Sequence, residues 1–214
     1  IDDTPSISEL NAIADETDGV VTATLTAASL SSLGALTTGP TDVITITVND
    51  DNNAEVNATN LSALGGKTAG TVTVSNAVHI TGDHDQVTAA LVTSDSLVVA
   101  STATVTINDD KDTVIDATEL TAIGSATTGD VTVQNKIDIK GTPSQVDAAI
   151  KKVDTFSADP NVDVTLTSDP TLTELVTINN KIEGTITLQG TNNYGLALSG
   201  STADVKAALA GNFA

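Results

Sequence analysis

One short pattern of residues recurs along this chain at a fixed spacing, and this repeat limits the folds that the chain can adopt. The pattern is a strand end, a glycine turn, a polar residue suited to capping a helix, and a short amphipathic helix. It occurs at 80–91, 139–150 and 198–209. Its turn glycines are evenly spaced, at Gly82, Gly141 and Gly200. A constant period of this length is typical of repeat proteins, whose units bury their apolar faces against one another.

The repeat extends beyond these three stretches and divides the chain into four copies. Leu61 and Leu120 are separated by the same interval as the turn glycines, and so are Gly70 and Gly129. The predicted copies are 1–49, 50–108, 109–167 and 168–214, of which the first is shorter. The fourth copy is expected to end after its helix, without the closing strand of the others. We therefore expect either an excerpt of a longer array or a subunit that a neighbouring copy completes by adding a strand.

Each copy alternates between the periodicities of strands and of helices. Apolar residues alternate with polar ones, mostly threonine, which indicates strands at 43–48, 102–107 and 162–166. Shorter strands are predicted at 71–74, 130–133 and 185–188, continuing at 79–80, 138–139 and 197–198. Apolar residues three and four apart predict short helices, most of which open with a capping side chain. The predicted helices are 6–13, 57–64, 83–91, 116–123, 142–150 and 201–209.

These elements predict an α/β repeat in which alternating short strands and short helices stack as a solenoid-like array. Strands joined by crossover helices are normally parallel. The threonine alternation predicts one sheet face buried under helices and the other in water or against a partner. A row of tandem small β-rich domains, with helices covering their ends, is the alternative fold.

The charge of the chain excludes several classes of partner. The formal net charge is −20, and all eight basic residues are lysines. Without a basic surface the chain cannot neutralise phosphates, so we expect no binding to nucleic acid and no binding to an anionic membrane. We expect no membrane insertion, because no apolar run approaches the ~18 residues that a membrane helix needs. The absence of cysteine excludes disulfides and thiol chemistry.

Acidic clusters between a predicted strand and the following helix are the candidate metal sites. They occupy the same place in successive copies, and clustered carboxylate and amide oxygens are the ligands that Ca²⁺ prefers. The candidate ligands are Asp50, Asp51, Asn53, Glu55, Asp109, Asp110, Asp112 and Asp116. These loops lack the Asp-x-Asp-x-Asp-Gly spacing and the bidentate Glu of the EF-hand loop. Capping of the next helix by aspartate is the alternative interpretation.

The histidines and the catalytic residue types give no active-site motif. Asp83, His84 and Asp85, with His79 before them, form a histidine-bearing cluster, which we interpret as the start of a helix in water rather than a zinc site. The sequence has no Gly-x-Ser-x-Gly elbow, cysteine nucleophile or phosphate loop. A carboxylate pair for glycoside hydrolysis stays open, although sugar-cleaving sites usually carry aromatic platforms and aromatic residues are scarce here. We therefore predict that the protein is not an enzyme.

Several stretches carry a resemblance to known repeats. Residues 4–14, 116–123 and 198–209 resemble repeats of very large, acidic, cysteine-free surface proteins of marine cyanobacteria and related bacteria, of the adhesin or motility-associated type. The resemblance covers all four copies. It implies an extracellular location at the cell surface and a structural role, and it supplies no catalytic residues.

Two functions follow as expectations. The first is an extracellular structural repeat module, as part of a surface layer, a filament or an adhesin stalk, without catalysis. Its partners would be copies of itself or adjacent repeats of a longer chain. The second is a calcium-dependent adhesin module that binds carbohydrates or surfaces through the acidic loops, with surface glycans as partners.

Overall fold

Parallel strands and short helices alternate along the chain in the computed structural model, so the protein is an α/β protein. The structure describes residues 1–92, 96–157, 162–189 and 198–214. Its contacts define two units, one of residues 1–106 with 126–130 and the other of residues 107–125 with 131–214. Each unit has strands, helices and a buried core of its own.

The first unit contains two parallel sheets and four helices among its described residues. Its helices are α1 Ile7–Asp15, α2 Leu30–Leu33, α3 Ala58–Gly65 and α4 His84–Leu91. Its strands are β1 Thr22–Thr24, β2 Val43–Val48, β3 Glu55–Asn57, β4 Val72–Val74, β5 His79–Gly82, β6 Val98–Val99 and β7 Thr104–Ile107, the last residue of which belongs to the second unit. One sheet has the order β1-β2-β4-β6, and in the other β3, β5 and β7 are successive neighbours.

Alternation of side chains explains why these stretches form half-buried strands. Along β2, Ile44 and Ile46 are fully buried, whereas Thr45 between them is exposed. The buried side chains join a core that includes helical residues such as Leu33 and Leu61. The predicted strand at 43–48 is therefore confirmed with its exact bounds, and so is its division into a core face and an outer face.

The second unit is built in the same way, with one long parallel sheet. Its helices are α5 Ala117–Ala126, of which the last residue belongs to the first unit, α6 Pro143–Lys152, α7 Leu172–Lys181 and α8 Thr202–Ala208. Its strands are β8 Thr113–Asp116, β9 Val131–Val133, β10 Ile137–Gly141, β11 Thr155–Phe156, β12 Asp163–Leu166, β13 Thr185–Leu188 and β14 Asn212–Phe213. The sheet order is β14-β13-β12-β10-β8, and β11 pairs with β9.

Residues that pair between neighbouring strands are separated by a similar number of residues along the chain. The shortest step along the chain joins Thr22 to Val43, and the longest joins Thr185 to Asn212. All of the registered pairs between strands are parallel. The chain therefore returns to the same sheet after a short and nearly constant excursion, which supplies the crossover that parallel pairing requires.

Three glycines that stand just before strands allow a close approach between backbones. A methyl group on Gly70 would overlap the carbonyl oxygen of Ile44, and one on Gly129 would overlap that of Ala103. Gly184 has the same relation to Val162. Each of these glycines stands just before a strand, at the point where the chain passes an earlier strand, so only glycine lets the new strand begin at this place.

The helices begin mostly at the predicted capping residues. Ser6, Asn57, Asp83, Thr142 and Ser201 are N-caps, and each accepts a hydrogen bond from a backbone amide one turn further on. Such bonds satisfy amide groups that the helix leaves without partners. The structure thus confirms five of the predicted helix starts at the level of the capping residue.

The structure also corrects the secondary-structure prediction at several places. The last acidic residue of each cluster lies in a strand, Glu55 in β3 and Asp116 in β8, where only a loop was expected before the helix. The expectation that the fourth copy lacks a closing strand is wrong, because β14 follows α8 and pairs with β13. Of the predicted strand at 197–198, Leu198 is not in a strand and residue 197 lies outside the described residues. The four repeat boundaries stay a prediction.

Candidate functional site

The two acidic junctions, residues 49–55 and 108–114, share an unusual backbone conformation. Asn53 has a φ of 62°, and Asp112, at the equivalent position of the second junction, has a φ of 65°. The Asn53 amide donates to the carbonyl of Ala77, and the Asp112 amide donates to the carbonyl of Lys136, both at 2.8 Å. Both junctions are therefore the same tight turn, closed against the strand that follows in the sheet.

An asparagine side chain from a later part of the sequence hydrogen-bonds to each junction. The Asn76 side-chain nitrogen donates to the carbonyl of Asp50 at 2.7 Å, and Asn135 donates to the carbonyl of Asp109 at 2.7 Å. The interval between the two asparagines is the same as that between the turn glycines. The main-chain oxygens of Asp50 and Asp109 are thus already hydrogen-bonded within the protein, which explains the shape of the turns without an added ion.

The candidate carboxylates have different surroundings in the two junctions. Asp50 accepts the backbone amide of Leu30 at 2.7 Å and so holds the first turn of α2, which precedes the junction, whereas Asn57 caps the helix that follows it. Asp109 is buried, whereas Asp51 and Asp110 are exposed. Within the described residues of these junctions, no three carboxylate groups lie within 4.8 Å of one another. The structure therefore does not bring the carboxylates into one preformed shell of three.

Glu55 and Asp116 lie apart from the turns, because both belong to strands. Glu55 is the first residue of β3 and pairs in register with His79. Asp116 is the last residue of β8 and pairs in register with Lys140. Both side chains are exposed on the sheet. Calcium binding by the eight candidate residues stays a prediction.

A lysine forms the centre of an ion-pair cluster at the second junction. The Lys136 ammonium lies 2.8 Å from Asp163 and 3.3 Å from Asp112. The other oxygen of Asp163 accepts the backbone amide of Thr185 at 2.8 Å. The hydrogen bond to Asp163 raises the pKa of Lys136, against a smaller opposing effect of burial. The ammonium group thus supplies a positive charge beside Asp112, and a cation at this junction would compete with it.

The histidine cluster forms the start of a helix. Asp83 caps α4, its carboxylate accepts the amide of Gln86 at 2.8 Å, and the Gln86 side chain accepts the amide of Asp83 in return at 3.2 Å. A ring nitrogen of His79 lies 2.8 Å from the Thr106 hydroxyl, while His84 lies 3.5 Å from Asp85. The predicted interpretation of this stretch as a capped helix start is confirmed for Asp83.

A polar groove in the first unit contains two of the candidate residues. It lies between α2 and α3 and has a volume of about 550 Å³. Asp50, Glu55 and Asn57 line the groove together with Lys67, whose ammonium donates to the carbonyl of Gly34 at 2.6 Å. The two helices differ in length, with four residues in α2 and eight in α3. Its carboxylates, amides and lysine suit hydrogen bonding to a hydroxylated ligand.

Comparison of the sequence with models of known protein families and with curated proteins finds no match. Among the described helices, none is both long enough and apolar enough to span a membrane.

Proposed function

We propose that the chain is an extracellular structural repeat module, a component of a surface layer, filament or adhesin stalk, and that it does not catalyse a reaction. The observation that best supports this function is the parallel register, in which each strand pairs with one that lies a short and nearly constant distance along the chain. In the proposed arrangement the strands and helices stack as a solenoid. Successive turns of a solenoid contact only their neighbours, so its length can be changed without redesign of a common core.

The packing of the helices supports the same proposal. Within the first unit α3 packs on α4, and within the second α6 packs on α7 and α7 on α8. Leu61 of α3 and Val87 of α4 are fully buried, as is Leu175 of α7. These helices therefore bury apolar side chains where they pack on their neighbours. The net charge of −20 would keep such an array soluble and resist non-specific clumping.

Small-angle X-ray scattering tests the solenoid. Residues 50–167, which hold two predicted copies, are duplicated and then triplicated within the chain. A solenoid gains the same increment in maximum dimension with each insertion, because each set of repeats extends one axis. A radius of gyration that grows only as a compact globule of the same mass would contradict the proposal. Flexible scattering profiles with variable increments would support the tandem-domain alternative.

The location is tested separately on cells of the organism that encodes the chain. Antibodies against the purified protein are applied to intact and to permeabilised cells. We expect labelling of intact cells, and removal of the antigen by external protease. Labelling that requires permeabilisation would contradict the extracellular role without affecting the solenoid.

Calcium-dependent adhesion is the second candidate. It is favoured by Asp51 and Asp110, which are exposed at the same position of two turns with the same conformation. Isothermal titration with Ca²⁺ is expected to release or absorb heat, and the signal should fall in the Asp51→Asn/Asp110→Asn double variant but not in Asp18→Asn, which changes an exposed aspartate elsewhere. A glycan array with and without chelator then tests carbohydrate binding. The absence of heat at millimolar Ca²⁺ would exclude the metal.

A further inference from the structure

The outer face of the β1-β2-β4-β6 sheet is uncharged and dominated by threonine. We call this surface the threonine face. Its residues are Thr22, Thr24, Val43, Thr45, Thr47, Thr71, Thr73, Leu97 and Val99, all of them exposed except the half-buried Thr47. No charged residue stands among them, although the chain carries a net charge of −20. The face therefore differs from the rest of the surface in its chemistry.

The register of the strands arranges these threonines in a two-dimensional array. Thr24 is the neighbour of Thr45 on the next strand, and Thr47 is the neighbour of Thr73. The second row continues from Thr73 to Val99 on β6. Neighbouring strands lie about 4.7–4.9 Å apart, and alternate residues along one strand about 6.6 Å apart. The hydroxyl and methyl groups thus repeat at regular distances in both directions.

The hydroxyl groups of the face are available to solvent. Within the described part of the chain, none of the six threonines of the face makes a side-chain hydrogen bond to the protein. Threonines elsewhere in the same unit do so: Thr68 donates to the carbonyl of Ile44 at 2.8 Å, and Thr106 contacts His79 at 2.8 Å. Branching at Cβ also restricts the rotation of each threonine side chain. The face thus presents rigid, unpaired hydroxyl groups beside rigid methyl groups.

We propose that the threonine face binds ice. Ordered methyl groups favour a cage-like arrangement of the first water layer, and the hydroxyls between them hydrogen-bond to that layer. The spacing between strands is close to the distance between equivalent oxygen atoms along the a axis of ice, so the rows that run from β1 to β2 and from β2 through β4 to β6 match that direction. A charged side chain would hold water in a different order, and the face has none.

Crystalline polysaccharides, another kind of regular surface, are less well suited to the threonine face than ice. Crystalline polysaccharides are normally bound through aromatic platforms, and the chain has only three aromatic residues, Phe156, Tyr194 and Phe213. Phe156 and Phe213 belong to strands outside this face. The sheet of the second unit offers a contrast within the same protein. There Asp138 and Asp163 are neighbours in register, and Asp116 pairs with Lys140. The same architecture therefore also supports a charged outer surface, and among the described residues the neutral array belongs to the first unit.

Inhibition of ice recrystallisation and partition of the intact chain into growing ice test the proposal. We expect the chain to enter the ice fraction and to keep ice grains small. Thr45→Lys places a long charged side chain in the middle of the face, and this variant is expected to lose both effects. Thr155→Lys makes the same change at an exposed strand threonine outside the face and is expected to keep them. Circular dichroism and thermal melting confirm that each variant is folded.

A gain of function tests the face without relying on a loss. Val43→Thr/Val99→Thr adds two hydroxyls in register with Thr22 and Thr73, and we expect stronger inhibition of recrystallisation than with the unchanged chain. Exclusion of the unchanged chain from ice would overturn the proposal, as would ice binding that persists in folded Thr45→Lys. Binding to crystalline cellulose or chitin without an effect on ice would also overturn it.

Discussion

Two residues in the left-handed region determine the shape of the acidic junctions. Asn53 and Asp112 have positive φ values, which asparagine and aspartate tolerate better than other residues with a side chain. Their amides donate to Ala77 and Lys136, so the unusual backbone closes the turn onto the neighbouring strand. At these positions the residue type is explained by backbone geometry, independently of any bound ion.

We expect Asn53→Gly to leave the free energy of unfolding nearly unchanged. Asn53→Val should lower it by about 1–2 kcal/mol, because a branched side chain is strained at this φ. Urea denaturation of the two variants measures the difference. At Asp112 the glycine variant should likewise be more stable than the valine variant, although there both variants also lose the ion pair with Lys136. A valine variant as stable as the glycine variant would show that the turn opens without cost.

At the scale of the element, glycines control where strands begin. A side chain on Gly70 would overlap the carbonyl of Ile44, and the same relation occurs at Gly129 and Gly184. The contact is with backbone, so the neighbour cannot turn away as a flexible side chain would. The recurrence of these glycines, visible in the sequence, therefore has a structural cause in the approach of successive strands.

We expect Gly70→Ala to lower the free energy of unfolding by about 1–3 kcal/mol, since β4 must shift away from β2. Gly39→Ala is the matched control, because nothing lies within 4 Å of a methyl group at that position. Its effect should stay within about 0.5 kcal/mol. Equal stabilities of the two variants, measured by urea denaturation, would contradict the close approach at Gly70.

The capping box of α7 makes the stability of the protein depend on pH. Burial acts to raise the pKa of Glu174, but hydrogen bonds from the amide and hydroxyl of Thr171 and from the Ser144 hydroxyl outweigh it, so the pKa is lowered. A carboxylate whose pKa is lower in the folded state stabilises that state above its unfolded pKa. The contribution is lost as the pH falls through the folded pKa.

We therefore expect Glu174→Gln to be less stable than the unchanged chain at neutral pH, with a gap that closes as the solution becomes acidic. Glutamine keeps the capping hydrogen bonds, as Gln86 and Gln145 do in α4 and α6, so the variant removes mainly the charge. Thermal melting between neutral and acidic pH measures the gap. A gap that stays constant over this range would show that ionisation of Glu174 is not its source.

Sequence reasoning identified elements whose signals are local and missed those whose causes are distant. The strand at 43–48 and the cap at Asp83 follow from alternation and from a single side chain, and both are confirmed. The strands β3 and β8 were missed because they are short and rich in polar residues, and they gain their order from pairing with β5 and β10, which come later in the chain. The ion pair of Lys136 with Asp163 was missed because it joins separate parts of the sequence.

At the scale of the whole molecule, the parallel register and the constant period of the sequence imply that equivalent segments can replace one another. β4 and β9 have the same sequence, Val-Thr-Val, and each follows a glycine that contacts the start of an earlier strand. Thr68 and Thr127 each stand two residues before one of those glycines. The Thr68 hydroxyl donates to the carbonyl of Ile44 and the Thr127 hydroxyl to that of Ala103, which are the carbonyls that Gly70 and Gly129 approach. The contacts that β4 makes with β2 are therefore ones that β9 can also make.

We expect the chain to fold after removal of one whole period, residues 61–119. The deletion joins Asn60 to Leu120 at equivalent positions of α3 and α5, and Gly129 then takes the place of Gly70 beside Ile44. Urea denaturation should show one cooperative transition with a smaller m value, because less surface is exposed on unfolding. The control deletion, residues 61–108, is not a whole period; it joins the first turn of α3 to an acidic loop and should abolish cooperative unfolding. Loss of cooperative unfolding in both deletion variants would show that the segments are not equivalent. Removal of a whole period would then disrupt the contacts between strands as much as removal of part of one.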